Sequence, residues 1–279
     1  MSTIYSQILK LRRDMTDWMI HFTHDSPLKS ARETLLTILT EGVLRPGFSP
    51  RGRPKRPTIY GPDAAVCFSE QPLSSFLDYL AIRRASSVMA GYGLLIHKHD
   101  VYAFGGLPVI HGLSSVQEVG PGEQSYNPAR RLLTEECLAL HEQYRYVTFD
   151  PLRSQYPIDW THEREWRWSE SASRAEPDRI LPFGWPINGA KCRVHAFVEQ
   201  DRDIDWLQSR LSQAYDSENV GLITVFDSEN DYESLWRRQL ARITVVSLEA
   251  VRLQLRNGRL EFSRFEDLPA EFKHPILLG

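Results

Sequence analysis

Residues 161–169 read Thr-His-Glu-Arg-Glu-Trp-Arg-Trp-Ser. A strand is predicted over Arg164–Ser169, where from Glu165 polar and aromatic side chains alternate, the period-2 signature of two unlike faces. On that reading Glu163, Glu165 and Arg167 share one face, and Trp166 and Trp168 take the other. A buried aromatic face would hold the carboxylates rigidly in a cleft. Working outward, Tyr144–Phe149 predicts another strand. Upstream, Ala65–Ser69 predicts a buried strand, and so does the apolar run Trp18–Thr23.

Helices are predicted between these strands. Residues 1–17 carry Ile4, Ile8, Leu9 and Leu11 at roughly helical spacing. Asp25-Ser26-Pro27 supplies helix-start chemistry, Leu35, Leu36, Ile38 and Leu39 form a face, and Gly42 is placed to end the helix. A second helix is predicted over 74–88, with Phe76, Leu77 and Leu80 inward, followed by a strand over Tyr92–His97. Asn127-Pro128 predicts the start of a helix running to His141. Residues 45–63 are basic and rich in Pro and Gly, and predict an irregular surface loop. Beyond Lys191 the pattern predicts a strand at Val194–Glu199, a helix at Ile204–Ala214, a strand at Gly221–Phe226, a helix at Tyr232–Leu240 and closing strands over Ile243–Leu255. There is no regular βαβ alternation and no Gly-x-Gly-x-x-Gly, so the class expected is α+β rather than a doubly wound sheet. Turn residues at Gly184–Lys191 suggest a core over 1–185 and a smaller C-terminal α/β region over 186–279, either independent or packed on the first sheet.

Composition narrows the classes. The 279 residues are 42% apolar and 25% charged, which excludes wholesale disorder, collagen and coiled coil. The net charge of −3 means that nucleic-acid binding would need a local basic patch. Three scattered cysteines, Cys67, Cys137 and Cys192, lack zinc or redox spacing and favour a reducing compartment. Charge near the start replaces the apolar core of a signal peptide, and no apolar run reaches bilayer length, so a cytoplasmic protein without a membrane partner is expected.

Three segments couple a predicted strand to polar side chains: Ile20-His21-Phe22-Thr23-His24, Val66-Cys67-Phe68-Ser69-Glu70-Gln71, and the opening stretch. A strand-borne His, a helix ending in Ile38-Leu39-Thr40-Glu41-Gly42-Val43-Leu44, an aromatic-Ser strand and a late Glu-aromatic strand resemble the ADP-ribosyltransferase fold. Over residues 18–170 the pattern is similar to DarT-like DNA ADP-ribosyltransferase toxins and AbiGi-type abortive-infection (phage-resistance) proteins. The resemblance implies a split mixed or antiparallel sheet with flanking helices, with NAD bound as substrate. It implies that His21 grips a ribose hydroxyl, that Phe22 and Thr23 help hold NAD, and that Phe68 and Ser69 line the nicotinamide pocket. Tyr79 would stack on nicotinamide. Glu165 would be the catalytic carboxylate, with Glu163 completing a Glu-x-Glu pair. The family's middle motif commonly carries a Tyr, where this chain has Phe68.

The chemistry is coherent in its own terms, because a cleaving glycosidic bond needs fixed negative charge near the anomeric carbon. No metal is required. Each segment also has a plain structural reading. His21 can be a buried strand histidine, Ser69-Glu70 a polar strand end, and Glu163 and Glu165 an ion-pair ladder with Arg164 and Arg167.

In the basic loop, Arg51-Gly52-Arg53-Pro54 matches the core of an AT-hook. Arg51, Arg53, Lys55 and Arg56 are therefore candidates for DNA or RNA contact through residues 51–57. The loop can equally be a solvated one, or fold over NAD with Arg51 or Arg53 at the pyrophosphate. Strand geometry would put His97 and His99 on one side, but no third metal ligand has a recognisable spacing. The function expected is transfer of ADP-ribose from NAD to a macromolecular acceptor, DNA or RNA slightly ahead of protein, as a toxin or phage-defence effector. A cognate antitoxin or phage-derived trigger would be a partner. The alternative is an inactive, transferase-like sensor that binds nucleic acid or protein.

Overall fold

In a computed structural model, the residues described are 12, 14–50, 56–84, 90–112, 130–153, 157–170, 181–182, 193–216, 240–258 and 264–277. The elements run β1 (Trp18–Phe22), α1 (Ala31–Glu41), β2 (Val43–Leu44), β3 (Ala65–Ser69), α2 (Leu73–Arg84), β4 (Gly93–His97), α3 (Lys98–Ala103), β5 (Leu107–Pro108), β6 (Ile110–Gly112), β7 (Tyr146–Thr148), β8 (Glu165–Ser169), β9 (Leu181–Pro182), β10 (Val194–Val198), α4 (Arg202–Asp216), β11 (Thr244–Ser247), α5 (Leu248–Arg256) and β12 (His274–Pro275). The class is α+β. Two compact units are built from discontinuous segments. The first comprises Met1–Val43, Glu70–Asp100 and Pro182–Gly279, and the second Leu44–Ser69 and Val101–Leu181. The sequence suggested a division at 185/186, with the C-terminal region either independent or packed on the first sheet. In the first unit the C-terminal strands join the N-terminal one.

In the first unit the strand order is β12-β11-β10-β4-β1. All adjacent pairs are antiparallel except the parallel β10–β11 pair. One face carries Ile20, Leu95, Phe197 and Val246, packed with Phe76, Leu77 and Leu80 of α2, Leu248 and Val251 of α5, and Phe265. On the other face are the buried residues Met19, Leu94, Ile96 and Ala196; α1 contacts β4 and α4 contacts β11. Each fully buried Leu or Phe contributes about 1.5–3 kcal/mol, so this double-sided burial dominates the unit's stability. Gly93 is required by close approach, since a Cβ there would lie 2.1 Å from the His21 carbonyl oxygen and 2.6 Å from the Phe197 ring.

Helix α1 starts later than Asp25-Ser26-Pro27 suggests. Ser30 is its cap and forms a capping box with Glu33, while Asp25 accepts from the Ala31 N–H at 2.7 Å. Gly42 ends it as expected, in the left-handed region at φ 69°. Two further expectations change. The strands predicted over Ile243–Leu255 stop at Ser247, whose hydroxyl accepts from the Ala250 N–H and caps α5. His97 and His99 do not share a strand face, because β4 ends at His97 and Lys98 opens α3.

In the second unit, β3-β8-β5 form an antiparallel arrangement and β6 pairs with β7 in parallel. Trp168 is 1% exposed, and its Nε1 donates to the Phe104 carbonyl at 2.9 Å. The helix predicted over 127–141 is not formed by the described part, residues 130–139. A 3-10 turn occupies Leu140–Arg145. Gln143, fully buried, explains the difference. Its amide accepts from the Leu133 N–H at 2.9 Å and donates to the carbonyls of Leu133 (2.8 Å) and Leu138 (2.9 Å), holding both ends of a segment that turns over residues 135–137 and whose main-chain groups a continuous helix would withdraw. The elements predicted over Gly221–Phe226 and Tyr232–Leu240 lie outside the described residues except for Leu240. Those over 1–17 lie outside except for residues 12 and 14–17, which form no helix.

Candidate functional site

The register of β3 against β8 sets the geometry. Ser69 lies opposite Glu165, Cys67 opposite Arg167 and Phe68 opposite Trp166. Directly opposed residues of an antiparallel pair project to the same face. Ser69, Glu165, Cys67 and Arg167 therefore share one face, and Val66, Phe68, Trp166 and Trp168 the other. The sequence alternation holds from Glu165 onward. Glu163 is not on that face, because Thr161–Glu163 is a 3-10 turn and Arg164 sits in the left-handed region at φ 47°. For a non-glycine residue that conformation costs on the order of 1–2 kcal/mol. The turn is held at both ends. Asp159 accepts from the Thr161 N–H (2.9 Å) and hydroxyl (2.6 Å), which holds its carboxyl below the usual range. Ser69 donates its hydroxyl to the Glu163 carbonyl at 2.6 Å.

Glu165 and Arg167 form a two-point ion pair, with Arg167 Nε donating to Oε1 at 2.8 Å and its Nη2 to Oε2 at 3.2 Å. The side chains are 12% and 5% exposed. The third guanidinium nitrogen of Arg167 donates to the carbonyls of Tyr144 (2.8 Å) and Tyr146 (3.0 Å). This is a charge-assisted fork in a protected setting, unlike the exposed ladder of the plain sequence reading. Cys67 faces the pair. Burial first, and Glu165 second, push its thiol well above the usual range, so it is a neutral neighbour and not a nucleophile at neutral pH.

The other expected residues are distributed between the units. Phe68 is 2% exposed and lies on the face opposite Ser69 and Glu165. His21, Phe22, Thr23 and Tyr79 belong to the first unit. His21 and Phe22 project to opposite faces of β1, with Phe22 stacked on Phe76 at 6.4 Å. The Thr23 hydroxyl faces two carbonyls, those of Ala31 (2.8 Å) and Tyr92 (3.1 Å). Tyr79 is half-buried beneath Arg83, whose guanidinium lies 5.6 Å from the ring centre. Arg56 is exposed, and Arg51, Arg53 and Lys55 lie outside the described residues.

Two features escaped the sequence reading. The anchoring of Arg167 by two carbonyls is one; its only sequence signal is the i, i+2 Glu-x-Arg spacing on a strand. The other is a buried ion pair in the first unit, Lys98 Nζ to Glu70 Oε1 at 2.6 Å, which accounts for the charged residue after Ser69. Among the described residues no group of three His, Cys, Asp or Glu side chains is placed to hold a metal ion, and no helix is long and apolar enough to cross a membrane. In comparisons with known proteins, the chain matches no family model, no curated protein and no solved structure.

Proposed function

We propose that the protein transfers ADP-ribose from NAD to a macromolecular acceptor, nucleic acid slightly ahead of protein, as a toxin or phage-defence effector. The observation that carries this reading is the placement of Ser69 directly opposite Glu165 on one face of β3–β8. These are the aromatic-Ser and Glu-aromatic segments on which the resemblance to ADP-ribosyltransferases rests. In the proposed reaction the bond between the ribose C1′ and nicotinamide breaks, and nicotinamide leaves with the electron pair. Glu165 accepts from the ribose 2′-hydroxyl and stabilises the oxocarbenium-like centre. A nucleophile of the acceptor then bonds to C1′ and releases its proton to solvent. Fixed negative charge in a protected site stabilises such a centre by several kcal/mol. Ser69, on the same face as Glu165, would help hold NAD.

The test is to incubate the protein with NAD labelled in the adenylate and with single-stranded DNA, duplex DNA, RNA or cell lysate. Label attached covalently to one acceptor class is the expected result. No attachment and no nicotinamide release under any condition contradicts the reading.

A second reading, an inactive transferase-like sensor, is favoured by specific bonds. Both Glu165 oxygens receive N–H donors from Arg167, and the Thr23 hydroxyl faces main-chain carbonyls. Saturation-transfer NMR with NAD separates the two, since the enzyme needs a cofactor pocket and the sensor does not. The candidate acceptor surface is tested by replacing Arg51, Arg53, Lys55 and Arg56 with Ala. That variant should bind nucleic acid more weakly and with a flatter salt dependence. An unchanged slope would return the loop to a solvated role.

A further inference from the structure

We propose that Arg167 is a positioning residue for Glu165, and that its guanidinium fixes the carboxylate in the orientation that meets a hydroxyl donor of the substrate. This rests on the transferase reading and adds a residue to it.

A carboxylate offers about four lone-pair directions. Arg167 occupies one on each oxygen, through Nε to Oε1 at 2.8 Å and Nη2 to Oε2 at 3.2 Å. Two parallel bonds fix the carboxylate plane as well as its position, which one bond from an ammonium could not do. The fork itself is immobilised. Its remaining nitrogen spans the carbonyls of Tyr144 and Tyr146, on either side of Arg145, at the junction of the 3-10 turn and β7. Arg167 is thus tied to backbone of one segment and to a side chain on its own strand.

The surroundings also argue for orientation over mere neutralisation. The pair sits at the start of β8, immediately after the left-handed Arg164 and the turn that Ser69 holds through the Glu163 carbonyl. Glu165 is bonded at its main chain as well, its carbonyl accepting from the Val109 N–H at 3.1 Å. A carboxylate restrained at backbone, turn and head group is pre-organised, and pre-organised charge is the form that acts on a developing cation without reorganisation cost. Charge burial alone does not require a two-point fork, because apolar pairs of similar volume often match buried ion pairs in stability.

The experiment has two arms on the full chain. In the first, the Arg167 Nε–Hε resonance is followed by NMR in wild type and in Glu165→Gln, with and without NAD. A slowly exchanging resonance that shifts on replacement of Glu165, and shifts again on NAD addition to wild type, is expected. A purely structural arginine would ignore NAD. In the second, nicotinamide release is measured for wild type, Arg167→Lys and Arg167→Gln, normalised to folded fraction by circular dichroism. Arg167→Lys should lower kcat about 10- to 100-fold with little change in KM, and Arg167→Gln should lower it further. Wild-type turnover in Arg167→Lys, with an Arg167 resonance insensitive to NAD, overturns the positioning role while leaving the transferase reading intact. Absence of both NAD binding and nicotinamide release in wild type overturns the transferase reading, and the positioning role with it.

Discussion

Two clusters of buried polar side chains, one in each unit, settle their charge by opposite means, although the first unit also holds the Lys98–Glu70 ion pair. In the second, Glu165 and Arg167 satisfy each other in a two-point fork. In the first, His97 and His195 give up charge instead. Burial is the leading cause in both, and it lowers each imidazole from its usual value to about 4. Both rings lie against Trp18, His97 at 5.4 Å and His195 at 4.5 Å between centres, and His195 Nδ1 shares a hydrogen bond with the Thr244 hydroxyl at 2.6 Å. Pairing keeps a fixed charge available at neutral pH, and neutralisation does not. The contrast teaches where electrostatic chemistry can reside. The β3–β8 face offers an oriented carboxylate, and the imidazole cluster offers neutral packing with little proton-transfer capacity near pH 7.

The largest effect that would break this comparison comes from removing half of the pair. Arg167→Met should lower stability by about 3–5 kcal/mol, because it strands a buried carboxylate. Replacing both partners with apolar residues should recover most of that loss. Thermal melts of the single and double variants check this, and a double variant no more stable than the single would show that the pair is not the source.

The next effect concerns pH. With folded-state values near 4 and unfolded values near the usual 6.5, the unfolded chain binds more protons at His97 and His195 between those limits. Their contribution is complete above about pH 6.5, and is lost as pH falls through 4. Lys273 reinforces the shift at His195. At His97, Arg193 and His99 reinforce it, while Asp100 and Asp17 oppose it. Urea titrations across this range should show stability rising with pH, and His195→Gln should flatten the slope. An unchanged slope would mean the imidazoles are charged or solvated in the fold.

The smallest effect is local. Ser247→Ala removes the cap of α5 and should cost about 1 kcal/mol, with no change in nicotinamide release.

Much of the strand content was legible because period-2 patterns are local. Trp18–Phe22, Ala65–Ser69 and Glu165–Ser169 were readable from alternation or apolar runs. What failed was decided by side chains reaching far along the chain or by a single cap. Gln143 takes up the Leu133 N–H and carbonyl where Asn127-Pro128 signals a helix. Ser247 turns an apolar run into a helix, although Leu248, Val251 and Leu255 already have helical spacing. Glu165 was legible as a candidate from its strand position. Its fork partner was visible only as a neighbour two residues on, because the carbonyls that anchor Arg167 belong to Tyr144 and Tyr146. Arg164, in a left-handed turn, separated Glu163 from Glu165 for a reason that residue type alone does not signal.

The central claim is that the Glu165 carboxylate carries the chemistry, and nicotinamide release from NAD by wild type and Glu165→Gln at matched folded fraction tests it most directly. The account predicts release by wild type, stimulated by one class of acceptor, and a loss of about 100-fold or more in Glu165→Gln. Equal release by the two proteins would contradict it.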